Sequence, residues 1–481
     1  MKTKYLLIIL LMVFFGVSCT KNFEDFNTDH KNPTDVEGEY LVSQAQKELS
    51  DQISNTNVNW NVWKLFAQYW TETTYTDEAN YDIINRNIPE QAFTAYYRNV
   101  LKPLDEAKKL ISEDPIVGNE TEQSKQNKLM IIELMEVYVY HNLVNIFGDV
   151  PYSEALDPDN ISPAYEDAAT IYGDLLTRLD NALSNLDGAE ASFTEADLIY
   201  HGDVNAWIKF ANSLKLKIAI NLADANETKA QTAAEDAVTD GVFTSAADNA
   251  LFAYMGSSPN TNPLHEDLVL SGRSDFVIAN TIADIMNGLN DPRRDYYFSY
   301  PIEGEYVGGN YGESSAYAGY SHVSSWIEDP TFPGILLTYS EVQFYIAEAA
   351  ARGWDVGQTA EAAYNEAVQA SFDFWSAGDA TDYLTNQAPY TGYADWKEAI
   401  GEQSYIAFYT RGLVAYTQYR RLDVPTMNEA PSAATGGPVP TRFTYPVNEQ
   451  TLNKKNYEAA SQAIGGDDLL TPLFWDTNQP D

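Results

Sequence analysis

Apolar residues recur at three- and four-residue steps along most of this chain, and runs of strict alternation are few. The pattern predicts a protein built almost wholly of helices. It begins near Val42. Residues 60–70 place Trp60, Trp63, Phe66, Ala67 and Trp70 at mixed three- and four-residue steps, predicting an amphipathic helix rich in indole. Residues 92–111 predict a second helix, broken near Pro103. Residues 127–147 are apolar over most of the helical circumference, as in a helix buried on several sides. After the turn GDVPYSEAL, Pro163 is expected to open a helix running to about Leu186, with Ser162 as its N-cap. Residues 205–222 carry Trp207, Phe210, Ala211, Leu214, Ile218 and Leu222 on one stripe, and a partner helix follows to about Asp240.

The clearest pairing lies at residues 340–375. Ser340 and Gln343 suggest a capping box, Gly353 a helix end, and Ala363, Tyr364 and Ala367 a close-packed face. This is the build of a tetratricopeptide-like helical hairpin, although the ~34-residue period of that repeat is absent. About four such pairs are expected, near 42–111, 127–186, 205–240 and 340–420, stacked into a right-handed superhelical scaffold with long loop insertions. The fold class is therefore all-α, a single helical domain over residues 41–481. A helix should end near Arg421, and residues 429–440 read as a Pro/Gly/Ala loop.

The main insertion, near 245–335, breaks the helical pattern. Between residues 296 and 326 stand seven tyrosines, five glycines and Trp326. Tyr among Gly and Ser is the composition of a recognition surface, because the ring brings contact area at low entropic cost and the hydroxyl bonds. Aromatic platforms beside amides suit a ligand that offers both an apolar face and hydrogen-bonding groups. The candidates are Trp70, Tyr75, Asn80 and Tyr81 after the first helices, and Tyr306, Asn310, Tyr311, Tyr317, Tyr320 and Trp326 in the insertion. Trp60, Trp63 and Phe66 fit core packing better.

The first residues form a separate pattern. Lys2 and Lys4 precede ten uninterrupted apolar residues, Leu6 to Phe15, and Gly16, Val17 and Ser18 lead to Cys19, the one cysteine in 481 residues. Ten residues make a helix of ~15 Å, about half a bilayer core, so the segment reads as a secretory signal over residues 1–18 rather than a span. A cysteine at such a site can carry diacylglycerol and, on the freed amine, palmitate; residues 19–40 would then be a lipidated tether. An ordinary signal peptide with an incidental cysteine is the alternative. Loss of residues 1–18 would leave 27 basic against 70 acidic residues, taking the formal charge from -41 to -43. Such a surface repels nucleic acid and anionic membranes. With Cys19 lipidated, disulfides, zinc-thiolate sites and cysteine nucleophiles are excluded.

No catalytic constellation is legible. The five histidines (His30, His141, His201, His265, His322) are scattered, GESSA at 312–316 ends in Ala316 where a nucleophile elbow needs glycine, and Asp157, Asp159 and Asn160 do not complete a calcium loop. Among 70 carboxylates an Asp/Glu pair of glycosidase type arises by chance. No enzyme, cofactor or metal site is expected.

Several phrases then line up in order with a known family. They are NFEDFNTDHKNP after the cysteine, FGDVPYSEAL (147–156), GDVNAWIKFANSLKLKIAINLA (202–223) and NDPRRDYY (290–297). They continue with LTYSEVQFYIAEAAARGW (337–354), YNEAVQASFDFW (364–375), EQSYIAFYTRGLVAYTQYRRLDVP (402–425) and TRFTYPVNEQTLNKKNY (441–457). Together they resemble the SusD/RagB outer-membrane lipoproteins of Bacteroidetes, most closely the SusD-like type 2 subgroup. The resemblance implies four tetratricopeptide-like pairs carrying a ligand platform on loops. It also implies a surface-exposed lipoprotein of the cell outer membrane that captures an oligosaccharide, or in some members a peptide, and serves as a hinged lid for a SusC-like TonB-dependent transporter. Arg420 and Arg421 match a family phrase and read as scaffold residues that pair with acids.

Overall fold

A computed structural model of the protein describes residues 36–477; Cys19, the signal and most of the tether lie outside the described residues. The helices that carry the architecture are α1 (Gly38–Ser54), α2 (Ile88–Thr94), α3 (Lys102–Glu113), α4 (Glu122–Phe147), α5 (Ala168–Asn185), α6 (Val204–Leu222) and α7 (Glu227–Asp240). They continue with α8 (Tyr339–Ala351), α9 (Ala360–Phe374), α10 (Trp396–Ala407), α11 (Gly412–Leu422) and α12 (Lys454–Ala463). Helices pack as antiparallel neighbours: α1 on α3, α4 on α5, α6 on α7, α8 on α9 and α10 on α11. The expected all-α hairpin scaffold is what the chain forms, and the stretch 340–420 holds two pairs rather than one.

α4 explains why the scaffold coheres. Thr121 caps it in a box with Ser124, and from Met130 to Phe147 every residue is buried. α6 is equally enclosed, entered through Asp203, whose carboxylate accepts from the Asn205 and Ala206 amides. Three acids buried inside the scaffold meet basic partners. Glu341 lies between Lys217 and Arg411, Glu348 binds Arg421 and Arg352, and Asp291 binds Arg293. Arg421 thus pairs with an acid as expected. Arg420 differs, because its guanidinium donates to the Asn145 and Thr441 carbonyls and lies over the Trp475 ring.

Four local readings are corrected by the structure. Of residues 60–70 only Trp63–Phe66 is helical. Gln68 turns left-handed (φ 53), its side chain joined to Asn428 and Thr281, and Trp70 starts a strand. The turn at Trp63 packs so closely on α11 that a Cβ on Gly412 would stand 2.4 Å from the Trp63 carbonyl carbon. The helix expected at Pro163 starts at Ala168, capped by Asp167 rather than Ser162, because Tyr165–Glu166 pairs as a strand with Val150–Pro151. Thr338, not Ser340, caps α8; Ser340 lies inside the helix and donates to the Ala367 carbonyl of α9. Pro103 breaks nothing: the π-helical stretch Ala95–Leu101 widens the backbone just before it, and Pro103 sits in the first turn of α3.

Residues 245–338 are largely non-helical. Short antiparallel ladders fasten them: Phe276–Ile278 to Trp70–Glu72, Ala250–Phe252 to Gly334–Leu337, and Phe298–Ser299 to His322–Val323. Arg293, wholly buried, binds Asp291 through two nitrogens and reaches Ser371 on α9 and Gln403 on α10. The tyrosine-rich segment therefore hangs from a point fixed in the helical core.

Candidate functional site

The ladder that pairs Ser299 with His322 brings three rings together. Tyr300 lies parallel to the His322 imidazole at 4.8 Å and 2°, and Tyr317 covers its other face at 3.6 Å and 13°. The imidazole is oriented by Nε2, which donates to the Tyr317 carbonyl at 2.8 Å. Ser321 locks the backbone beneath, donating through Oγ to the Tyr300 carbonyl and accepting from the Val307 amide. Tyr300 is 51 % exposed, so the stack ends in an open ring face. Further along the same segment Trp326, 41 % exposed, tilts over Tyr296 at 5.5 Å and rests against Trp375 at the end of α9. The insertion thus carries exposed rings in two clusters, the three-ring stack and Trp326 on Tyr296, which together form its aromatic ledge. Burial pushes the Tyr317 phenol up, with the Glu328 charge adding to it, so the hydroxyl stays protonated and able to donate.

The expected site residues separate into two groups. Tyr317 and Trp326 belong to the ledge, and half-buried Tyr320 lies two residues before His322. Tyr306 is half-buried, its ring against Phe298 and its hydroxyl on Asp295; Asn310 is exposed and bonds Glu313. Trp70, Asn80, Tyr81 and Tyr311 are buried and contribute to packing instead of a surface. Trp70 donates from Nε1 to the Tyr409 hydroxyl, Tyr81 faces Phe66 and Tyr311, and Asn80 ties Gly312 to Ser432. Glycine-spaced tyrosines do not announce which ring turns inward. His322 and Tyr300 are not among the expected candidates; Tyr300 is one of the seven tyrosines of the segment, and no spacing pattern singles out His322.

Tyr75 stands apart, 75 % exposed, at a polar cleft of about 280 Å³. Glu72 lies at its floor, 4 % exposed, accepting from the Ala79 amide. Burial pushes Glu72 up to about 9, and the charges of Glu78 and Asp77 add to the rise. Glu78, itself raised by burial, is ion-paired with Arg86. A carboxyl raised in the fold stabilises it below the ordinary carboxylate range and loses that contribution as pH climbs towards about 9. Glu72→Gln keeps a neutral side chain. Its Tm should rise relative to the parent's progressively between about pH 5 and about pH 9, and a pH-independent difference would contradict this.

Among the described residues no group of three or more His, Cys, Asp or Glu is arranged to hold a metal. A family model described as starch-binding, associating with the outer membrane, matches residues 30–446, and the chain belongs to that SusD-like family. As a member it is a binding protein rather than an enzyme. Solved structures agree over nearly the whole length. A chitin-binding protein is 26% identical with a TM-score of 0.80, covering 92% of this chain and 100% of its own. A SusD homologue from Bacteroides uniformis is 25% identical with a TM-score of 0.77, covering 91% and 100%. A chitin-binding SusD homologue from Flavobacterium johnsoniae is 22% identical with a TM-score of 0.78, covering 91% and 99%. No match is found among curated proteins. Among the described residues no helix is long and apolar enough to cross a membrane.

Proposed function

We propose that this protein is a cell-surface lipoprotein that captures an oligosaccharide on the Tyr300–His322–Tyr317 and Trp326 ledge and delivers it to a SusC-like TonB-dependent transporter. The observation that carries the reading is the ledge itself: stacked rings with an open face suit the C–H face of a pyranose. The family's starch-binding description and the chitin-binding neighbours make malto- and chito-oligosaccharides the first ligands to test. Isothermal titration should give saturable binding to one series. Silence with both, and with soluble plant, host and microbial glycans, would overturn the reading. Peptides found by native mass spectrometry on protein purified with its transporter would turn it towards a peptide ligand.

Cys19 supplies the anchor in this proposal. A tethered lid meets its transporter at an effective concentration set by the tether, so tight affinity in solution is unnecessary. Cys19→Ala should abolish incorporation of labelled palmitate and ligand uptake by cells while the purified protein binds glycan as before. Unchanged uptake would remove the anchor from the mechanism.

A further inference from the structure

We propose that the cleft beside Tyr75 is a second sugar subsite, distinct from the ledge, that takes one uncharged sugar residue at a chain end. This rests on the glycan-binding reading and extends it to the size and charge of what is bound.

Three observations converge on the cleft. The first is its size: about 280 Å³ falls just below the ~300–1,000 Å³ of pockets that enclose drug-sized ligands, room for one ring rather than a chain. The second is its lining. Asn57 and Asn59 come from the turn after α1, Tyr75 and Arg86 from the segment before α2, and Asp267, Arg273 and Asp275 from the insertion. Amides, guanidinium and carboxylates around a ring face are the groups that grip several hydroxyls at once. Tyr75 keeps its exposed ring at the mouth on a left-handed backbone, φ 54, a conformation that costs energy for a bulky residue and is held by its surroundings.

The third observation is charge. The chain as a whole carries 70 acidic and 29 basic residues, yet the cleft sets two arginines, Arg86 and Arg273, among Glu72, Asp267 and Asp275. Arg86 pairs with Glu78, and Arg273 donates from Nε to Asp275 at 2.6 Å. Asp267 accepts from the Thr56 amide at 3.1 Å, and burial raises its carboxyl towards the neutral form. Glu72 is left uncharged by its burial. An anionic sugar would meet Asp267 and Asp275 and find both arginines already paired, and a bare ammonium would meet Arg86 and Arg273. A hydroxyl-bearing neutral residue finds donors and acceptors without disturbing the pairs.

Saturation-transfer NMR on the full chain tests this, using the methyl glycosides of glucose and N-acetylglucosamine and, as the charged control, methyl glucuronide. One or both neutral monosaccharides should receive saturation and glucuronide should not. The signal should fall at least tenfold in Tyr75→Ala and in Arg273→Ala, both changes at exposed side chains, and persist in the Tyr300→Ala/Trp326→Ala double variant. Absence of any neutral monosaccharide signal, an equal glucuronide signal, or a signal lost with the ledge variant but kept in Tyr75→Ala would each overturn the cleft. Titration with malto- and chitohexaose in the same variants separates the two readings, because hexaose binding that survives Tyr75→Ala but not the ledge variant leaves the ledge standing alone.

Discussion

Arg293→Ala lowers the free energy of unfolding by about 3–5 kcal/mol, the cost of leaving a buried carboxylate without its partner. Arg293 and Asp291 are both fully buried, joined at 2.6 to 3.2 Å through Nε and Nη2. The guanidinium also donates to Ser371 and Gln403 and lies 4.8 Å from the centre of the Phe372 ring. Deletion strands Asp291 and two polar side chains on different helices. Lysine is no substitute, since one ammonium cannot satisfy three separate acceptors in a fixed fork. Arg293→Met combined with Asp291→Asn should recover much of the loss, because the stranded charge is then gone. Denaturant unfolding of the full chain measures this, and a loss under about 1 kcal/mol, the range of an exposed pair, would contradict it. The consequence reaches the ledge: Tyr296 and Tyr297 follow Arg293 within four residues, and the Tyr297 ring stacks on Tyr409 of the scaffold at 4.5 Å.

The ledge supplies the second large effect. Tyr300→Ala with Trp326→Ala should weaken oligosaccharide binding roughly 30-fold, about 2 kcal/mol, the loss seen when central aromatic anchors are truncated. Both side chains are substantially exposed, so the Tm should move little. His322→Ala is informative beside them. The imidazole is covered by Tyr300 and Tyr317, so its loss removes the ring on which they rest, and binding should fall while both phenols remain. Isothermal titration against the glycan that binds the parent decides the matter; a double variant with parental affinity would place capture elsewhere on the surface.

The long helices were legible because their information is local. Residues 127–147 declare burial all round by composition, and α4 is buried all round. Residues 60–70 declare a helix by the same logic and fail, because Gln68 is claimed by Asn428, 360 residues away, and by Thr281. Spacing cannot encode a bond of that range. The candidate site divides along the same line. Composition locates the tyrosine-rich segment, but which ring faces out depends on partners such as Tyr81 against Tyr311 and Trp70 against Tyr409. His322 gains its place only when Ser299 pairs beside it. The eight family phrases, largely scaffold sequence, identify the helices and Arg293 far better than the rings.

The three-ring stack also bears on how tightly a ligand can be held. A free tyrosine on a loop must give up rotamer freedom when a ligand arrives, at about 0.5–1.5 kcal/mol for each side chain that becomes fixed. Tyr300 and Tyr317 are already clasped against the imidazole, with Ser321 fastening the backbone below. Most of that ordering was completed when the chain folded. Sugar hydroxyls lose water on binding and regain little, so a glycan site works on narrow margins. A ledge rigid before the encounter keeps nearly all of the contact energy as affinity.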